Sequence, residues 1–258
     1  MTAELYEFLR LAPIGFGIGA FGTLVGAGGG SILVPVLLLL MPHASPAALT
    51  SISLAVVFFN AYSGTIAYMR MGRIDYYAGW LFTLAGIPGA ILGVILVHQM
   101  PRALFDPLFG CLLLLMGGFL VYSPLGSRST MREGEAMTRR RERVGSIGSA
   151  YIAVLSSLLG IGGGIIHVPF LIRVLKMPAH TATATSHFVL TFLALTATVT
   201  HFFLGELGDE ITTTTFLAVG VMMGAPVGAA LSTRIAGSVI VRLLASALCL
   251  VGLRLILR

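Results

Sequence analysis

The sequence contains few charged residues, and this scarcity limits the kind of protein that it can form. Only 10% of its 258 residues are Asp, Glu, Lys or Arg, while 57% are hydrophobic. Soluble domains contain about 25% charged residues, so this chain cannot cover a compact fold with a surface that faces water. The composition therefore excludes an ordinary soluble domain and predicts a polytopic protein with the lipid bilayer as its solvent.

Cysteines and buried carboxylates are scarce as well. The two cysteines, Cys111 and Cys249, lie in apolar segments and form no CxxC or other metal-binding spacing. Asp and Glu are absent from the apolar segments except near their ends. We therefore expect no metal site and no cofactor, and any coupled proton would have to be carried by histidine.

The basic residues lie in loops and at the ends of apolar segments. The net charge of +6 is then explained by membrane topology rather than by a nucleic-acid partner, which we do not expect. The expected partner is the lipid bilayer, and the protein could function as a monomer or a homodimer.

Ten apolar segments follow one another along the chain. They are predicted at about 5–25, 31–41, 46–70, 77–98, 102–122, 144–160, 164–176, 179–204, 211–232 and 236–257. The second and seventh are too short to cross a hydrocarbon core of about 30 Å at about 1.5 Å per residue. We predict a first membrane repeat at 1–122, a cytoplasmic basic linker at 123–143 and a second membrane repeat at 144–258.

A glycine-rich decapeptide occurs once in each predicted repeat. Gly26-Ala-Gly-Gly-Gly-Ser-Ile-Leu-Val-Pro35 is followed 134 residues later by Gly160-Ile-Gly-Gly-Gly-Ile-Ile-His-Val-Pro169. Leu49-Thr50-Ser51 likewise corresponds to Ala184-Thr185-Ser186. This duplication predicts two equivalent halves. Each glycine cluster breaks a helix, and in a membrane such a break survives only where protein or a water-filled cavity covers it.

The arginines orient the predicted helices. The central loop contains Arg128, Arg132, Arg139, Arg140, Arg141 and Arg143, and the positive-inside rule places it in the cytoplasm. Each broken segment could form one interrupted span or a hairpin of partial helices that returns to its starting side. The hairpin leaves more basic residues inside, and it makes the number of crossings in each half odd.

We therefore predict an all-α polytopic membrane protein made of two five-segment inverted repeats, each opening with a Gly-broken partial-helix hairpin. Both termini are then periplasmic.

The helices that follow the glycines are predicted to bind an anion. Residues 29–33 and 163–167 would present free backbone N–H groups at a helix N-terminus, which attracts anions without a buried Arg or Lys. Nearby hydroxyls and histidines would add donors, although the glycines could also serve only tight helix packing. The candidate substrate-binding residues are Gly28, Gly29, Gly30, Ser31, Thr50, Ser51, Gly162, Gly163, Gly164, His167, Thr185, Ser186 and His187. Three histidines, His167, His187 and His201, are the candidates for proton coupling.

These motifs resemble those of the sulfite exporter TauE/SafE family, also called the toluene-sulfonate uptake permease family. The resemblance rests on the two decapeptides, each followed by a Thr-Ser pair, and it covers nearly the whole chain outside 123–143. It implies transport of small, often sulfur-containing anions such as sulfite, sulfonates or sulfoacetate across the bacterial inner membrane. His167 and His187 depart from the repeat, since Leu33 and Ile52 occupy the corresponding positions.

A secondary transporter that exports such an anion by alternating access, with proton coupling as an option, is the predicted function. A passive anion channel is the first alternative, and an intramembrane enzyme is the second. Ser31 follows three glycines, but no His or carboxylate is paired with it in the sequence. The sequence therefore favours transport over catalysis.

Overall fold

The chain folds into α-helices joined by short turns. The computed structural model describes residues 3–25, 28–122, 137–206, 208, 210–231, 245–246, 248–249 and 252–253. Within these residues there are nine helices: α1 (Ala3–Val25), α2 (Gly30–Leu40), α3 (Pro46–Arg70), α4 (Tyr76–His98), α5 (Arg102–Tyr122), α6 (Arg139–Leu158), α7 (Gly164–Arg173), α8 (Ala179–Phe203) and α9 (Ile211–Leu231). The predicted all-α fold is confirmed.

The first nine predicted segments correspond to these nine helices. The largest difference is at α6, which begins at Arg139 rather than near residue 144. Thr138 caps this helix, since its side chain accepts the backbone N–H of Arg141. The predicted tenth segment at about 236–257 lies almost wholly outside the described residues, as do Gly26 and residues 123–136 of the predicted linker.

Five helices, α3, α4, α5, α8 and α9, are long and apolar enough to cross a membrane. Two further apolar helices, α2 with 11 residues and α7 with 10, are too short to do so, as the segment lengths predict. Both short helices begin at the last glycine of a decapeptide. The polytopic membrane class is therefore confirmed, and the short helices lie among the long ones.

Helices α3 and α8 cross the centre of the molecule side by side and run antiparallel. Thr50, near the start of α3, lies 3.4 Å from His201, near the end of α8 (Oγ1 to Nε2). Further along, the ring of Tyr68 packs edge-on against His187, with 5.3 Å between the ring centroids. Residue numbers rise along one helix as they fall along the other.

Two parallel helix pairs flank this centre. In the first pair, Gly15 and Gly19 of α1 lie against the backbones of Leu217 and Val221 of α9. The glycines allow the two backbones to approach closely, as small residues do between membrane helices.

The second pair, α4 and α6, has the same construction, since Gly89 and Gly93 lie against the backbones of Ala150 and Val154. Helix α1 of the first pair thus has its counterpart in α6, and α9 has its counterpart in α4.

Helix α2 lies in the segment that leads the chain back from the end of α1 to the start of α3. Ser63 of α3 donates to the carbonyl of Met222 in α9, and Tyr68 of α3 packs in one cluster with Ala229 of α9. Helix α3 is therefore parallel to α9, and so to α1. Since α1 and α3 point the same way, the chain between them must run back toward the end where α1 begins.

The loops at the two ends of the helices differ in charge. One end, called the basic end here, contains Arg70, Arg73, Arg139, Arg140, Arg141, Arg143, Arg173 and Lys176. Hydrogen bonds from Asp75 N–H to Thr185 and from Tyr77 to Glu142 join its parts. The other end, called the acidic end, contains His98, Arg102, Asp106, Glu206 and Glu210, with His98 and Glu206 paired at 3.0 Å. The charges are thus sorted along the helix direction.

Candidate functional site

Each glycine loop places a helix N-terminus inside the protein. Gly163, with a φ of 85°, is the N-cap of α7, and Gly29, with a φ of 81°, is the N-cap of α2. These values lie in the left-handed region that favours glycine. No side chain caps either helix. The predicted free donors at 29–33 and 163–167 are too many, because the N–H groups of residues 32, 33, 166 and 167 bond to the carbonyls of the two capping glycines. The helix geometry leaves the N–H groups of residues 29–31 and 163–165 as the candidate donors.

The two loops meet halfway along α3 and α8. A Cβ placed on Gly30 would lie 2.6 Å from the carbonyl oxygen of Ile161, so the first decapeptide packs directly against the second. Gly28 and Gly162 both lie against the side chains of Val57 and Leu190. The two helix N-termini thus lie near the middle of the molecule, away from both charged ends.

A small cavity lies in front of the α7 N-terminus. Its polar lining consists of Gly162, Gly163 and Gly164 from the second loop, Ser149, Ser156 and Ser157 from α6, His167 from α7 and Ser186 from α8. The other lining residues are apolar, and no charged side chain contributes to the lining within the described residues. Apart from the titratable ring of His167, the lining therefore offers a bound charge only neutral donors and the helix dipole.

His167 bridges two of these hydroxyls. Its Nε2 lies 2.9 Å from Ser149 Oγ, and its Nδ1 lies 3.3 Å from Ser186 Oγ. The ring packs edge-on against Phe82, with 6.1 Å between centroids, and stacks on Phe170. The residue is only 4% exposed, so its orientation is fixed by contacts on every side.

Ser156 contributes a hydroxyl donor to the cavity. Its hydroxyl is buried and has no hydrogen-bond partner. A Cβ placed on Gly163 would lie 2.7 Å from Ser156 Oγ, so this hydroxyl lies directly beside the first turn of α7. A buried hydroxyl without a partner is costly, and a ligand in the cavity would supply the acceptor.

Three polar residues of the lining have no polar counterpart in the first half. In the first half the residues that correspond to Ser149, Ser156 and His167 are Gly15, Gly22 and Leu33. Ser157 and Ser186 have the polar counterparts Thr23 and Ser51, so the two halves differ at Ser149, Ser156 and His167 rather than along the whole lining.

Three serines of the cavity, Ser149, Ser156 and Ser157, are absent from the residues that the sequence predicts. They lie seven and eight positions apart, which places them on one face of a helix. The signal in the sequence is this hydroxyl stripe on the apolar segment directly before the second decapeptide.

In the first loop, the glycines lie beside a different polar group. Ser31 is buried and its hydroxyl has no partner. Thr23 donates to Asn60 Oδ1 at 3.0 Å, and Asn60 Nδ2 lies 3.4 Å from where a Cβ of Gly29 would stand. The predicted residues Gly28, Gly29, Gly30 and Ser31 thus form a second, tightly packed loop next to the cavity.

The other predicted site residues lie apart from the cavity. Thr50 and Ser51 are near the acidic end, where both hydroxyls bond back to α3 and Ser51 also bonds to the carbonyl of Glu206. At the basic end, Thr185 accepts the backbone N–H of Asp75. His187 packs on Tyr68, and neither of its ring nitrogens has a hydrogen-bond partner.

Of the three histidines that are candidates for proton coupling, only His167 lines the cavity. His201 contacts Thr50 near the acidic end.

Comparisons with known proteins agree with the membrane fold. A family model described as sulfite exporter TauE/SafE matches residues 11–255. The probable membrane transporter protein YunE of Bacillus subtilis is 28% identical over 97% of this chain and 97% of its own length. A probable membrane transporter protein of Xylella fastidiosa is 29% identical over 87% of this chain and 83% of its own. No solved structure matches the chain.

Proposed function

Because the chain belongs to the sulfite exporter TauE/SafE family, we propose that it is a secondary transporter for a small sulfur-containing anion. The substrate class is sulfite, a sulfonate or a sulfoacetate-like anion. Transport is export across the bacterial inner membrane, and it proceeds by alternating access. The names of the relatives describe membrane transport, which supports a carrier rather than an enzyme.

The α7 N-terminus in its cavity is the observation that carries this proposal. A sulfite or sulfonate group has three oxygens that need donors, and the first-turn N–H groups of α7 lie beside Ser156 and the pair formed by Ser149 and His167. A helix N-terminus holds an anion with about half a positive charge. Neutral donors also suit a carrier, because they release an anion more readily than a buried Arg or Lys would.

The arrangement of the helices supports alternating access by inverted repeats. The corresponding helices α3 and α8 run antiparallel, as equivalent elements of inverted halves must. The pair formed by α1 and α9 has its counterpart in α6 and α4. In our proposal the two halves rock about the central α3 and α8, and the cavity opens to each side of the membrane in turn.

The charged ends support one orientation in the membrane. We assign the basic end to the cytoplasm and the acidic end to the periplasm, since cytoplasmic loops carry an excess of Lys and Arg. The start of α1 is then periplasmic. In export, the anion enters the cavity from the basic end, whose arginines attract it electrostatically.

Ligand-induced stabilisation of the purified protein tests the binding site. We expect sulfite or a short alkylsulfonate to raise the melting temperature, because a ligand stabilises the native state that binds it. In Ser156→Ala the affinity should fall about tenfold, since a hydrogen bond to a charged group contributes about 1.5 kcal/mol or more.

Ser63→Ala is the matched control, because Ser63 bonds to the carbonyl of Met222 on the far side of α3. It should bind the anion like the wild type. Equal affinity of Ser156→Ala and the wild type would place the anion elsewhere.

A further inference from the structure

We propose that His167 couples anion binding to uptake of one proton by changing the number of free hydroxyl donors in the cavity. This inference rests on the proposed transport function, and it concerns which protonation state of the same cavity binds the anion. It starts from the imidazole ring, whose two nitrogens each face a serine hydroxyl.

The neutral ring imposes unequal roles on its two serines. A neutral imidazole has one N–H donor and one lone-pair acceptor. One serine must therefore donate its only hydroxyl hydrogen to the ring, while the other accepts the ring N–H and keeps its hydrogen. Whichever tautomer is present, Ser149 and Ser186 together offer a single free donor to the cavity.

The protonated ring removes this inequality. Both of its nitrogens are donors, so Ser149 and Ser186 both accept, and both hydroxyl hydrogens are free to turn toward a ligand. Protonation therefore adds one positive charge and one hydroxyl donor to the cavity in a single step. Both changes favour a bound anion, and by linkage a bound anion favours the proton to the same extent.

The surroundings of His167 leave the ligand as its only charged partner in the cavity. Phe82 of α4 and Phe170 of α7 cover the ring faces and edges, and Ser149 of α6 and Ser186 of α8 hold its nitrogens. The titratable groups of these helices have other contacts. Tyr77 pairs with Glu142 and His98 with Glu206, while Arg173 lies over Phe119. His187 packs on Tyr68, His201 contacts Thr50, and residues 139–143 and His180 lie at the basic end. Within the described residues no ion pair reaches the ring.

The corresponding position of the first half explains why one proton is expected. Leu33 stands where His167 stands, and Gly15 stands where Ser149 stands. Among the described residues the first loop therefore has no equivalent pair of histidine and serine, and a stoichiometry of one proton per bound anion follows.

The test is calorimetric binding of methanesulfonate to the purified full-length protein. This probe keeps its charge across the pH range in which histidine titrates, so any pH dependence belongs to the protein. We expect the affinity to fall as pH rises, by a factor approaching ten per pH unit. Titrations in buffers of different ionisation enthalpy should show uptake of up to one proton.

The variant His167→Gln separates hydrogen bonding from titration, since glutamine keeps a donor and an acceptor but cannot be charged. We expect it to bind methanesulfonate with an affinity that does not change with pH. His187→Gln and His201→Gln are the controls, and both should keep the wild-type dependence.

Binding to the wild type that is independent of pH and releases or takes up no proton would overturn this inference and leave the proposed function standing. A pH dependence that persists in His167→Gln would also overturn it. Absence of methanesulfonate and sulfite binding at every pH would instead contradict the proposed function itself. Proton uptake is measured on the wild type, so the test does not depend on the folding of a variant.

Discussion

Gly163 meets two requirements at once that other residue types cannot meet. Its φ of 85° is a left-handed conformation, and a Cβ there would lie 2.7 Å from Ser156 Oγ. Its backbone geometry turns the chain into α7, and its missing side chain leaves the first turn of that helix open to the cavity. Glycine is therefore required at this position both for the backbone conformation and for access of a ligand to the first turn of α7.

Gly163→Ala should lower the stability of the protein. The left-handed conformation costs an L-residue about 1–2 kcal/mol, and the contact with Ser156 adds to that cost. The measurement is the thermal or denaturant midpoint in detergent. Gly17→Ala is the control, because nothing lies within 4 Å of the added Cβ there. A variant Gly163→Ala as stable as Gly17→Ala would contradict the geometry of the loop.

Ser53 and Ser156 should separate stability from binding. Ser53 donates to the carbonyl of Gly160 at 2.6 Å, so a residue of the first half anchors the loop of the second. We expect Ser53→Ala to cost about 1 kcal/mol, measured as a lower unfolding midpoint. Ser156→Ala should leave that midpoint unchanged or raise it, because its buried hydroxyl has no partner to lose. The reverse order of the two midpoints would refute these assignments.

At the residue scale the sequence predicts the glycines, His167 and Ser186 of the cavity but not the serines of α6. Hydroxyls in apolar helices commonly bond back to their own helix, as Thr196, Thr198 and Thr200 do. A hydroxyl pattern alone cannot distinguish that use from a ligand contact. Only the packing of α6 against the second glycine loop makes Ser149 and Ser156 part of a site.

At the scale of elements, nine of the ten predicted segments match the described helices, because their lengths and breaks are set by local chemistry. Glycine clusters and Pro35 and Pro169 define the two short helices, and polar turns define the long ones. The start of α6 is missed because a single capping residue, Thr138, outweighs the polar character of its first turn.

The glycine stripe of α9 should be essential for the pair that it forms with α1. Gly220, Gly224 and Gly228 lie against the backbone of α1 at Ala12, Phe16 and Ala20. Gly224→Val would force the backbones apart, and overpacking of this kind costs about 1–3 kcal/mol or more. We expect a clearly lower unfolding midpoint for this variant.

Met223→Val is the matched control on the next residue, whose side chain is 65% exposed. It should be close to neutral. Equal midpoints for Gly224→Val and Met223→Val would mean that α1 and α9 are not packed through the glycines.

At the scale of the whole molecule, the duplication predicts two equivalent halves but not how they pack. Contacts between residues distant in sequence place α3 and α8 at the centre. Such contacts also pair α1 with α9 and α6 with α4. No local pattern encodes them. The difference between the halves at Ser149, Ser156 and His167 is likewise visible only when corresponding positions such as Leu33 and His167 are placed in space.

The proposed orientation makes the two charged ends accessible from opposite sides of the membrane. In a variant with Cys111 and Cys249 replaced by alanine, a cysteine introduced by Arg73→Cys should react with an impermeant maleimide only from the cytoplasmic side. One introduced by Gly208→Cys, at an exposed position near the acidic end, should react only from the periplasmic side. Labelling of both from one side would refute the inverted arrangement.

The most direct test of the transport account is counterflow of radiolabelled sulfite into proteoliposomes loaded with unlabelled sulfite. A carrier that binds the anion at the α7 N-terminus should give saturable counterflow in the wild type and in Gly118→Leu, where nothing lies within 4 Å of the added Cβ. Gly163→Leu, reconstituted in equal amount, should abolish it. Undiminished counterflow in Gly163→Leu, or wild-type flux that never saturates and shows no exchange, would contradict the account.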